Sequence, residues 1–200
     1  MLSITTKELK TCLDKAAELT EQYKLYVLDS AAFPRSMESF LQICIDYLNH
    51  RIHVYTLKPL PKEVSESVRA LCISNDDGTY EIHLQADLNI CWHRFVLCKE
   101  LFHVLLDAPE YRNMEISKHL EEFLLPMPEG PPKTYLPGSS ELMAEIAAME
   151  FLFPYAERKA LLDSGKPINY LDVATYYRIP QALVEQYLYQ PWMAFVEPFF

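Results

Sequence analysis

Basic residues are scarce in this chain. Eighteen Lys and Arg stand against 28 Asp and Glu, which gives a formal charge of -10 and a pI near 5.1. The bases are also scattered, with Arg158-Lys159 the only adjacent pair. No tail or stripe therefore offers the phosphate neutralisation that nucleic-acid binding needs. Cysteine supplies no scaffold either: Cys12, Cys44, Cys72, Cys91 and Cys98 are odd in number and form no CxxC. Each sits among apolar neighbours, where a free thiol behaves as a small hydrophobe. That usage argues for a reducing, cytoplasmic setting and against structural disulfides. No apolar run approaches the ~18 residues of a membrane helix. The opening Met1-Leu2-Ser3-Ile4-Thr5-Thr6-Lys7-Glu8 lacks the basic-then-apolar order of a signal peptide. No repeat is visible.

What is present is a globular recipe. Half of the 200 residues are hydrophobic and 23% are charged, enough apolar material for one domain or one domain with a modest appendage. Thr5 and Glu8 have capping-box spacing ahead of a helix over 5–23 that carries Leu9, Cys12, Leu13, Ala16, Ala17 and Tyr23 on one face. A second helix is expected after Pro34, with Phe40, Leu41, Cys44 and Ile45. Residues 51–57 alternate and are β-branched, as a strand should be. Residues 68–74 and 80–84 read as two more strands, joined across Asn75-Asp76-Asp77-Gly78, a hairpin signal because Gly accepts positive φ. These make a small antiparallel sheet.

From 90 onward the chain reads as helical. Residues 90–106 are apolar almost all round, the mark of a buried helix. A helix over 114–125 and a proline-rich loop over 126–138 precede another helix, capped by Ser139 or Ser140 and running to Phe153. Three short helices (156–164, 171–177, 181–189) lead to an aromatic tail, 191–200, which either folds back as core or anchors a partner. The fold class is α+β. The expected division is 1–30 as an N-terminal helix, 31–155 as the core, and 156–200 as a C-terminal helical region with its tail.

The chemistry concentrates on the buried helix, at Lys99-Glu100-Leu101-Phe102-His103. Lys99 and His103 are four apart and share a face. Three ionisable groups on an apolar helix call for pairing or a ligand. In HExxH two such positions are zinc-binding histidines, and the intervening Glu takes a proton from zinc-bound water. Here the first histidine is Lys99, so the pattern is KExxH.

Residues 94–106, RFVLCKELFHVLL, resemble the signature helix of ImmA/IrrE-type metallopeptidases. Residues 141–154, ELMAEIAAMEFLFP, resemble that family's second motif, and 171–185 its closing helical pair. The strand, Asp-Gly hairpin and strand before the signature helix follow the family's order. The resemblance spans roughly 40–190 and implies a zincin-like core with its small sheet packed on the signature helix. Carried over by position, it implies zinc held at residue 99, His103 and Glu141, with Glu100 as general base. It also implies a regulatory role and a protein partner, a helix-turn-helix repressor of a phage or mobile element.

Lys99 departs from that pattern. An ammonium has no lone pair to give a metal. Either Lys99 occupies the metal's place and pairs with Glu141 and Glu100, which removes the Lewis acid and impairs hydrolysis, or another donor substitutes in an active zinc endopeptidase. Cys98 lies about 140° from His103 around the helix, His93 is badly placed, and His119 is on another helix. The family's Asn in the second motif is Glu145 here and its Phe is Ala147. Glu145 either joins a cluster with Lys99 or faces solvent. The 173–188 segment has a helix-turn-helix rhythm, but from 168 to 200 only Arg178 is basic, which makes direct DNA binding the weakest reading.

Overall fold

The computed structural model describes residues 4–46, 49, 51–57, 69–106 and 136–200, and for 136–139 the backbone only. The first helix, α1 (Thr6–Tyr26), starts where Thr5 Oγ1 accepts from Glu8 N at 3.2 Å and Glu8 Oε2 accepts from Thr5 N at 2.8 Å. Leu9, Cys12, Leu13, Ala16, Leu19 and Tyr23 form its buried stripe, spaced at helical intervals. Helix α2 (Met37–Asp46) buries Met37, Phe40, Ile43 and Cys44.

The sheet comprises β1 (Arg51–Leu57), β2 (Ala70–Ser74) and β3 (Thr79–Gln85), in the order β1-β3-β2. Tyr80, Ile82 and Leu84 of β3 are buried, and Ile52 of β1 lies on the same face opposite Tyr80. β2 and β3 form the expected antiparallel hairpin, with Gly78 at φ +78° and Asp77 Oδ1 accepting from Thr79 N at 2.9 Å. β1, however, runs parallel to β3. The sheet is thus mixed, not purely antiparallel as the sequence suggests. Period-two alternation fixes which side chains face inward but says nothing of strand direction. Once the hairpin has placed β2 on one edge of β3, β1 takes the other.

Helix α3 (Ile90–Leu105) begins at Asn89, whose Oδ1 accepts from Cys91 N and Trp92 N at 3.1 and 3.0 Å. It packs against the sheet, α2 and α4 (Leu136–Leu152), and α4 also packs along α1. Phe40, Phe102, Phe151 and Tyr23 meet where these four helices converge; the Phe40 and Phe151 rings stack at 4.1 Å. Helices α5 (Tyr155–Asp163), α6 (Tyr170–Tyr177), α7 (Gln181–Tyr187) and α8 (Gln190–Val196) complete the described chain, with a 3-10 turn over Glu197–Phe199. Met193 and Val196 are buried, so the aromatic tail folds back onto the core.

Ser139 and Ser140 do not cap α4. The helix already begins at Leu136, so residues 136–138 of the expected loop are helical. Pro137 is tolerated there because the first-turn N-H groups have no partner inside the helix. The expected helix over 114–125, the rest of the proline-rich loop and His119 lie outside the described residues.

Two buried arginine systems lock the helices together. Arg94 Nη2 donates to the Arg35 carbonyl at 2.7 Å, and its Nε donates to the carbonyl of Arg178 at 3.2 Å, in the α6–α7 turn. Arg158, 2% exposed, pairs with Glu150 of α4 and sends Nη1 toward Met193 Sδ of α8 at 3.8 Å.

Candidate functional site

α3 and α4 bring the charged residues of α3 together with Glu141. Lys99 and His103 project from the same side of α3, and α4 presents Glu141 opposite them. Lys99 Nζ lies 2.6 Å from Glu141 Oε2 and 3.2 Å from Glu100 Oε1. His103 Nε2 lies 3.0 Å from Glu141 Oε1. One carboxylate thus receives the ammonium on one oxygen and the imidazole on the other. The second contact is close but poorly aligned: Nε2 is buried and makes no hydrogen bond of good geometry. The contact is an electrostatic approach.

Burial alone would favour the neutral amine at Lys99, but Glu100 and Glu141 outweigh it and hold the ammonium well above the ordinary lysine range. Burial also works upward on Glu141; His103 and then Lys99 outweigh it and bring the carboxyl down to about 2. Both groups are therefore charged at neutral pH. Half of the Glu141 side chain, 53%, remains exposed, so water screens the pair in part. Glu100 is 5% exposed and its carboxylate is matched to Lys99.

Glu145, one turn along α4 from Glu141, belongs to the next layer. Its Oε1 accepts from Gln186 Nε2 and the Tyr187 hydroxyl, both at 3.3 Å. Burial raises its carboxyl above the usual range, against those two hydrogen bonds. Glu145 therefore neither bonds Lys99 nor simply faces solvent. It ties α4 to α7, through partners the sequence did not indicate. Glu141 stands in the second turn of α4, beyond the first-turn position where the helix dipole favours an acid most. Lys99 and His103, not the dipole, keep it ionised.

The resemblance implies zinc at this point, and the donor set decides whether the residues fit it. Glu141 carries usable lone pairs, and His103 Nε2, buried and without an aligned partner, offers one only in the tautomer with its proton on Nδ1. The third position is an ammonium already seated on Glu141, with no lone pair and a charge that opposes a dication. Cys98 does not substitute: its sulfur faces the Ala148 carbonyl at 4.0 Å, and burial raises its thiol well above the ordinary range. Among the described residues no group of three His, Cys, Asp or Glu is arranged to hold a metal ion. The residues present do not fit a zinc centre of the ordinary three-ligand kind.

Compared with protein-family models the sequence matches none, and it matches no curated protein. Among the described residues no helix is long and apolar enough to cross a membrane.

Proposed function

We propose that this chain has a zincin-like core of the ImmA/IrrE type in which the Lys99 ammonium stands in for the metal, and that it acts by binding a protein in a cytoplasmic regulatory setting. The partner class is the one the resemblance implies, a helix-turn-helix repressor. One observation carries the reading: the 2.6 Å contact of Lys99 Nζ with Glu141 Oε2. Zincin hydrolysis needs a Lewis acid and a water whose proton a free carboxylate can take. An ammonium supplies no Lewis acid, and Glu100, the base by resemblance, is occupied in neutralising Lys99.

Metal analysis of the dialysed protein tests this directly. Zinc far below one per chain is expected, and stoichiometric zinc overturns the proposal. Lys99→His replaces the cation with a lone pair beside His103 and Glu141. That variant is expected to gain zinc, and adding Glu141→Gln should abolish the gain. Mixed with a helix-turn-helix repressor, the chain is expected to co-elute with it and leave it uncut. Chelator-sensitive cleavage would establish an active metallopeptidase instead.

A further inference from the structure

Away from the Lys99–Glu141 cluster, a cleft of about 370 Å³ opens between α1, the 27–35 connection and the start of α5. Arg35 forms its floor, 5% exposed. Its Nη1 donates to Thr20 Oγ1 at 3.0 Å and to the Phe151 carbonyl at 2.6 Å. The guanidinium carbon lies 4.7 Å from the Phe151 ring centre and 5.4 Å from that of Phe33. These contacts are neutral; Glu150 and Glu157 favour the charged form from a distance, but neither reaches it as an ion pair. Among the described residues Arg35 makes no ion pair, and its buried Nε has no acceptor. Such a cation is expensive to keep, and this chain has acids to spare.

The other charges of the cleft are mostly matched already. Glu21 pairs with Lys24 at 2.6 Å, and Glu150 pairs with Arg158. Glu157 is the exception. It is exposed, accepts from the Tyr177 hydroxyl at 2.9 Å, and makes no ion pair among the described residues. The cleft therefore combines a cation and an anion that each lack an ion pair among the described residues, with apolar walls that include Phe33 and Phe200. The Phe200 ring is itself stacked on Tyr155 at 4.4 Å.

We propose that this cleft binds a small zwitterion, a free α-amino acid with an apolar side chain. Arg35 takes its carboxylate through Nη2, since Nη1 is spent on Thr20 and Phe151 and Nε is sealed from the cleft. Glu157 takes its ammonium, and Phe33 and Phe200 receive the side chain. A simple anion would meet Glu157 and a simple cation would meet Arg35, so only a ligand carrying both charges leaves neither group opposed. The volume lies near the lower end of the ~300–1,000 Å³ of small-molecule sites, which suits a metabolite better than a folded partner.

Calorimetric titration of the full chain tests it, with L-phenylalanine, 3-phenylpropionate (no ammonium) and phenethylamine (no carboxylate) as probes. L-phenylalanine is expected to bind with Kd below ~1 mM, and each analogue at least about tenfold more weakly. Glu157→Gln, at an exposed position, should weaken L-phenylalanine about tenfold and strengthen 3-phenylpropionate, whose carboxylate then no longer meets a like charge. The proposal is overturned if L-phenylalanine gives no heat and no Tm shift at ~10 mM. Equal binding of the three probes overturns it as well, as does indifference of L-phenylalanine binding to Glu157→Gln.

Discussion

An ammonium and a metal dication can answer the same electrostatic need between two helices while differing in every chemical property. Lys99 pairs with Glu141 and Glu100 at 2.6 and 3.2 Å, yet it carries one charge against two and cannot polarise a carbonyl or a water as a Lewis acid does. The Lys99–Glu141–His103 grouping was legible in the sequence, because the four-residue spacing on α3 and the order of the later motif both point to it. The partners of Glu145 were not, since Gln186 lies 41 residues away and no local pattern announces a tertiary hydrogen bond. The cysteines give a residue-scale prediction. Burial raises the Cys12 and Cys44 thiols from 9.0 to about 12, and Cys98 well above 9.0. Only the thiolate is alkylated, and a raised pKa moves its appearance to higher pH. At pH 8 native protein should therefore leave these three unlabelled by iodoacetamide, whereas denatured protein labels all five. Peptide mass spectrometry reads the difference, and fast native labelling of Cys12, Cys44 or Cys98 would contradict the packing described.

Elements follow local chemistry where their signals are local. The Thr5–Glu8 capping box, the Asn75–Gly78 turn and the buried α3 all form where the sequence expects them, because caps, positive φ and periodicity act within a few residues. The parallel pairing of β1 with β3 was hidden, since it depends on which edge of β3 remains open. Gly78 tests the hairpin. A Cβ there would meet only Arg51 Nη2, at an ordinary 3.8 Å, but φ is +78°. Gly78→Ala should thus cost about 1 kcal/mol through backbone strain, without a clash. Urea unfolding should show a lower midpoint at unchanged slope. A neutral result would mean that the turn relaxes to another form.

Across the whole molecule, apolar residues from α1 to α8 join one buried cluster, and charged keys are set into it. The Glu150–Arg158 pair links α4 to α5, and Arg158 also reaches Met193 in α8. Burial of Arg158 at 2% exposure leaves no water to take over if its partner is lost. Arg158→Met should therefore cost about 3–5 kcal/mol by stranding Glu150, and adding Glu150→Leu should recover part of it. Guanidinium unfolding of the two variants measures both effects. If Arg158→Met alone were neutral, the pair would carry no such role.

The packing of α1 along α4 has a consequence for how the chain is made. About 110 residues separate Tyr26 from Leu136, so the apolar stripe of α1 leaves the ribosome long before the surface that covers it. At ~5–20 residues per second that interval lasts roughly 5–20 s. During it Leu9, Leu13 and Leu19 stand open to water on the nascent chain. The connectivity thus makes the first helix a natural client for a ribosome-associated chaperone, and chains interrupted before α4 are targets for aggregation or degradation.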